Sequence, residues 1–115
     1  MEELLPLIIH SLNLKDEGIR IICLKMIQKL LEKENTNTMN IEELTVNLVQ
    51  SLKSKMSMQA KNSTLICLDL VLTTEEGGIL KYRKQVTNEV KNFLDDRKRS
   101  TRRLAVKCIN DWIIA

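Results

Sequence analysis

The chain is short of the residues that break helices and of those that build reactive sites. Of its 115 residues, Pro6 is the only proline, and Gly18, Gly77 and Gly78 are the only glycines. That scarcity leaves long stretches in which a helix has no cause to stop. The aromatic residues are Tyr82, Phe93 and Trp112, too few for a surface that stacks unpaired bases. His10 is the one histidine, and beside Ile8 and Ile9 it reads as a packed or surface imidazole. No run approaches the roughly 18 apolar residues of a membrane span. Glu2 and Glu3 stand where a secretory leader would carry positive charge, so no leader is expected.

Catalytic patterns are equally scarce. Glu75-Glu76 and Asp95-Asp96 are paired carboxylates, but both fall at expected helix ends, where capping and solvation account for them. There is no Gly-rich phosphate loop, nucleophile motif or ligand cluster. Cys23, Cys67 and Cys108 are odd in number and share no metal or redox spacing. Buried, reduced thiols are expected, which points to the cytosol or nucleus. The reading is a non-enzyme with no cofactor and no bound metal.

What the chain has is 43% apolar residues and a repeat. Leu104, Ala105, Cys108, Ile109, Trp112 and Ile113 form an apolar stripe at helical spacing. Shifting this helix back by 41 residues, twice, finds two weaker copies. Arg102 falls on Lys61 and Arg20, Val106 on Leu65 and Leu24, Ile109 on Leu68 and Ile27. Cys108 falls on Cys67 and Met26, Trp112 on Val71 and Leu30, Ile113 on Leu72 and Leu31. A basic residue, a small or β-branched one three places later (Cys23, Thr64, Ala105), then an apolar run describes the second helix of a HEAT repeat. The period lies within the roughly 40–47 residues of such units.

The expected fold is therefore an all-α HEAT-repeat solenoid of three helix pairs in one domain, 1–115. The repeats fall at about 2–33, 40–74 and 79–115. In the first, residues 2–12 and 19–33 are helical, with Asn13 to Gly18 as the turn. Residues 33–38 link to the second repeat, where Asn40 and Glu43 have capping-box spacing and Ile41 starts a helix reaching Leu52. Ser54 to Ser57 turns the chain into a helix over 58–74, which Gly77-Gly78 is expected to close. Helix 79–93 and the last helix make the third repeat. Ile27, Leu31, Leu65, Leu68, Leu72, Val90, Leu94, Ile109 and Ile113 are the expected core. A start at Met1 with no capping repeat suggests a piece of a longer solenoid, whose uncapped end could self-associate.

The net charge of +3 is mild, yet five of the seven residues from Arg97 to Arg103 are basic. Arg97, Lys98 and Arg99 would sit at the positive end of the last helix dipole, where each cation costs about 0.3–1 kcal/mol. Asp96 and Arg102 have the spacing of an aspartate–arginine ladder between repeats. A ladder leaves Arg97, Lys98, Arg99 and Arg103 unexplained. Arg97, Lys98, Arg99, Arg102 and Arg103 are therefore the candidate partner-binding residues, and their partner should be acidic. Direct binding of nucleic acid is not expected.

The stretches Lys81-Tyr82-Arg83-Lys84-Gln85-Val86 and Leu94-Asp95-Asp96-Arg97-Lys98-Arg99, with Arg102, Ala105 and Trp112, resemble the C-terminus of the MMS-nineteen family. The match covers about residues 79–113; Thr101 stands where the family carries an aliphatic residue. The resemblance implies an adaptor of the cytosolic iron–sulfur cluster targeting machinery, active in cytoplasm and nucleus. Such adaptors join a WD-propeller subunit and a small cysteine-bearing subunit and present apo-enzymes of DNA replication and repair. The alternatives are an importin-like or generic HEAT scaffold, or a module associated with a repair and transcription factor. An importin fragment would have acidic inner faces, whereas the last inner helix here is basic.

Overall fold

The computed structural model describes residues 16–32, 41–54, 56–74 and 77–115. They form five α-helices: α1 Glu17–Glu32, α2 Ile41–Leu52, α3 Met58–Leu70, α4 Arg83–Val90 and α5 Arg99–Ile114. Short 3-10 helices, Val71–Thr74, Gly77–Tyr82 and Lys91–Phe93, extend α3 and flank α4. No strand occurs among the described residues. The helix expected over 2–12, the linker 33–38, Asn40, and the residues Pro6, His10, Glu75 and Glu76 lie outside them.

The helices stack in two layers. In one, α1 packs on α3 and α3 on α5; in the other, α2 packs on α4, while α2 also meets α3 and α4 meets α5. The period is visible in the backbone itself. Asp16, Ser57 and Lys98, each 41 residues from the next, open α1, α3 and α5 by accepting from the amides of Arg20, Lys61 and Arg102. Asp16 Oδ1 also accepts from Ile19 N at 3.0 Å, and Ser57 Oγ from Ala60 N at 3.3 Å. These are the bonds that N-cap side chains make to otherwise unpaired first-turn amides. The fold is thus an all-α helical repeat.

Helix α3 is the middle of the stack, and both its sides are covered. Leu65, Cys67, Leu68 and Val71 are all essentially inaccessible. Cys67 Sγ donates to the Leu24 carbonyl of α1 at 3.6 Å. On the other side Trp112, fully buried, donates its indole N–H to the Leu68 carbonyl at 2.9 Å. Leu68 is in the last turn of α3, where carbonyls lack a helical partner, so the indole fills a vacancy the helix end creates. Arg83, at the start of α4, donates to the carbonyls of Trp112 (2.9 Å) and Ala115 (2.6 Å) at the end of α5. The two helices therefore run antiparallel, and a cation sits at the negative end of the α5 dipole.

The equivalent small positions Cys23, Thr64 and Ala105 are all buried, as the period requires. Thr64 hides its hydroxyl by donating to the Ala60 carbonyl at 2.8 Å. Thr101 is buried too, and donates to Asn62 Oδ1 at 2.6 Å. An aliphatic position can thus carry a hydroxyl, because the neighbouring repeat supplies an acceptor.

Several expectations need correction. The helix over 58–74 is α-helical only to Leu70 and then tightens to 3-10. The helix over 79–93 is short α4 between two 3-10 turns. Gly77-Gly78 does not close the preceding helix; it opens the 3-10 turn that leads into α4. At Gly78 a Cβ would lie 3.3 Å from the Glu42 carboxylate, which itself binds Lys81 Nζ at 2.7 Å. The missing side chain lets this turn lie close against α2. Leu72 and Ile109 are half-buried, while Leu94 and Ile113 are exposed (37% and 57%). The buried line of α5 is Thr101, Ala105, Cys108 and Trp112, with Leu104 and Ile109 packed partly buried against the core, so the apolar stripe faces inward except at Ile113.

Leu68→Ala should cost about 2–5 kcal/mol, as for other buried leucines. Ile113→Ala should stay within about 0.5 kcal/mol, as for exposed sites. Urea unfolding of both variants, followed by circular dichroism, checks the assignment; equal effects would refute it.

Candidate partner-docking site

The basic cluster is carried on the turn that joins Lys91–Phe93 to α5, and Asp96 shapes that turn. Its Oδ1 accepts from Lys98 N at 2.9 Å, and its Oδ2 pairs with Lys61 Nζ at 3.0 Å. The amide of Lys98, then the ammonium of Lys61, hold the Asp96 carboxyl below the usual carboxylate range. Lys61 also lies 5.7 Å from the centre of the Phe93 ring. Because Lys61 is the counterpart of Arg102 one repeat earlier, this is a ladder between repeats. Arg102 itself does not bond the Asp96 carboxylate, contrary to the expected pairing. It donates to two carbonyls, Asp96 O at 2.7 Å and Arg97 O at 3.2 Å, and closes its own turn. At the first junction Glu17 does the equivalent work, accepting from Ser57 N at 3.2 Å and lying 3.6 Å from Arg20.

The five candidates thus divide. Arg102 is half-buried and spent on the turn. Arg97, Lys98, Arg99 and Arg103 are exposed, and their side chains form no ion pair among the described residues. Lys98 is the N-cap of α5 and gives no side-chain cap. Arg97, Lys98 and Arg99 are therefore held at a positive helix end, with Arg103 in the following turn and Asp95 and Asp96 as the acidic residues beside them in sequence.

Composition did not reveal what lies beside them. Leu94, Arg99, Arg102, Arg103, Val106 and Asn110, together with the Lys107–Asp111 ion pair, line an open groove of about 660 Å³ along the outer face of α5. Val106 is 49% exposed, although its counterparts Leu65 and Leu24 are buried. The equivalence of positions 24, 65 and 106 was the signal, but Val106 lies outside the apolar stripe that marked the core side of this helix.

Other polar groups are structural. Lys107 bridges Asp69 and Asp111, linking α5 to α3. Burial raises the Asp69 carboxyl, Lys107 lowers that of Asp111, and the two carboxylates hold Lys107 above the ordinary lysine range. No group of three metal-ligating side chains occurs among the described residues. All three thiols are free and buried. Burial pushes Cys67 up to about 12 and Cys108 upward as well, so neither is a thiolate near neutral pH.

Two measurements follow from this geometry. A disulfide-exchange reagent should titrate fewer than one thiol per folded chain and all three after denaturation. Asp96→Asn should destabilise by up to about 1 kcal/mol through loss of the ion pair with Lys61, its amide oxygen still being able to accept from Lys98 N. The folded carboxyl lies below its unfolded value of 3.8, so its contribution is complete above that pH and vanishes as pH falls through the folded value. The gap between parent and Asp96→Asn in urea should close over that acid range; a gap that persisted or widened would contradict the ladder.

No protein-family model matches the chain. Curated relatives do. The MMS19 nucleotide excision repair protein homolog of Mus musculus is 27% identical over 112 residues, 96% of this chain and 11% of that protein. The Homo sapiens protein of the same name is also 27% identical over 112 residues, with the same coverage. That of Dictyostelium discoideum is 30% identical over 126 aligned positions, 99% of this chain. The chain spans about 11% of the length of the curated relatives it matches. The similarity extends well beyond residues 79–113, which carried the sequence resemblance. Over nearly its whole length the chain is therefore similar to a small part of relatives that all bear one name, MMS19 nucleotide excision repair protein homolog.

Proposed function

We propose that this chain is a protein-docking segment of an adaptor in the cytosolic iron–sulfur cluster targeting machinery, serving DNA replication and repair enzymes in cytoplasm and nucleus. Its relatives are named nucleotide excision repair protein homologs. The observation that carries the reading is the basic edge. A rigid turn, tied to the preceding repeat through Asp96 and Lys61, holds Arg97, Lys98, Arg99 and Arg103 outward without internal partners. Charges kept against a helix dipole have a use outside the fold. An acidic protein surface is that use: it would be steered in by the cations and oriented by them. The partners on this reading are the WD-propeller and small cysteine-bearing subunits and their apo-enzyme clients. An importin-like or general scaffold is the second reading, favoured only by the repeat itself.

Arg97→Glu with Arg99→Glu should keep the parent melting temperature or raise it slightly, because negative charge suits that helix end. The same variant should lose capture of the two targeting subunits at physiological salt. Capture by the parent should weaken near 1 M salt, where the screening length falls to about 3 Å. A double variant that still captures both subunits would place their docking surface elsewhere; recovery of transport cargo instead would favour the second reading.

A further inference from the structure

The outer face of α5 repeats, position for position, a face that α3 has already used. Met58, Asn62, Leu65 and Asp69 form a row along α3, and α5 lies on it: Ser100 donates to Met58 Sδ, Asn62 bonds Ser100 and Thr101, and Lys107 pairs with Asp69. Shifted by one period the row becomes Arg99, Arg103, Val106 and Asn110. No described residue packs there, and the groove of about 660 Å³ runs along it. The shape is a helix seat. Its chemistry differs from the internal seat at both ends: Met58 and Asn62 are replaced by two arginines without ion pairs, and the Asp69 carboxylate by the amide of Asn110, while Val106 keeps the aliphatic character of Leu65.

We infer that this seat holds an acidic amphipathic helix of a partner protein, lying parallel to α5. Its first turns would carry glutamate or aspartate opposite Arg99 and Arg103, where α5 offers Ser100 and Thr101 to α3. Aliphatic side chains one or two turns later would cover Val106 and Ile113. The orientation is consistent with the partner's own electrostatics, since carboxylates in its first turn also suit its dipole. A second copy of this chain fits poorly, because a self-complementary contact through this face would set arginines against arginines. The inference rests on the reading of this chain as a protein-docking module, but not on which complex it serves.

The test uses the whole chain and a synthetic helical peptide with glutamates on one face of its first two turns and leucines continuing that face. Fluorescence anisotropy should show saturable binding of one peptide per chain. Arg99→Glu with Arg103→Glu should weaken it at least tenfold, and a lysine-for-glutamate peptide should bind that variant instead. Val106→Asp, at a half-exposed site, should also weaken it at least tenfold with the melting temperature retained; Val106→Ser is the milder companion. A peptide with its glutamates moved to the last turns should bind at least fivefold more weakly. No binding by the acidic peptide overturns the inference. So does loss with the arginine variant but not with either Val106 variant, which would mean attraction without a seated helix. A dimer in sedimentation that Val106→Asp abolishes would make a second copy the occupant, and tighter binding of duplex DNA than of peptide would make it nucleic acid. Peptide binding with no capture of the targeting subunits would sink the adaptor reading alone. Capture that survives Val106→Asp after peptide binding is lost would sink the helix seat alone.

Discussion

The contact of α5 with α3 is the constraint on which the rest of the described structure depends. A helix covered on one side can tilt or slide, whereas α3, with α1 on one flank and α5 on the other, cannot. Trp112 sets the register of that contact. Its ring is fully buried and its N–H reaches one carbonyl, Leu68 O, so a shift of α5 by even one residue would bury an unpaired donor. Arg83 then ties the end of α5 to the start of α4, and Lys107 ties its middle to Asp69. The packed groups are apolar and unspecific; these few polar bonds choose one arrangement among them.

With α5 held in place, the basic turn becomes a rigid display rather than a loose tail. Asp96 uses both carboxylate oxygens, one on its own turn and one on Lys61 of the preceding repeat. Arg102 closes the turn from within. Arg97, Lys98, Arg99 and Arg103 then stand without an ion pair among the described residues, and the Asp96 carboxylate beside them is committed elsewhere. Electrostatic strain at the helix end and availability for a partner are the same fact seen from two sides.

The groove beside these cations has a related origin. In a stacked repeat each second helix must present one face backward and an equivalent face forward. Cys67 and Cys108 lie on the backward face and are buried; Leu24 and Leu65 lie on the forward face and are buried too. Val106 is the forward residue of α5 and is half open. Its exposure is therefore a property of the repeat geometry, not a defect of α5. The arginines along the same row distinguish this face from the two forward faces inside the stack.

The sequence by itself determined the repeat and much of the core. Arg20, Lys61 and Arg102, the small positions Cys23, Thr64 and Ala105, and the capping Asp16 and Ser57 recur at one spacing, because each repeat solves the same local packing and capping problem. Local chemistry acts over a few residues, so it is legible from a string. The basic cluster was legible for the same reason. Tertiary structure alone decided that Leu94 and Ile113 are exposed while Thr101 is buried. An apolar stripe names a preferred face, but what is covered at its edges depends on what the neighbouring helix offers, here the Leu68 carbonyl and Asn62. It likewise decided that Asp96 pairs with Lys61 rather than Arg102, since the ladder joins neighbouring repeats through two residues 35 positions apart in the chain.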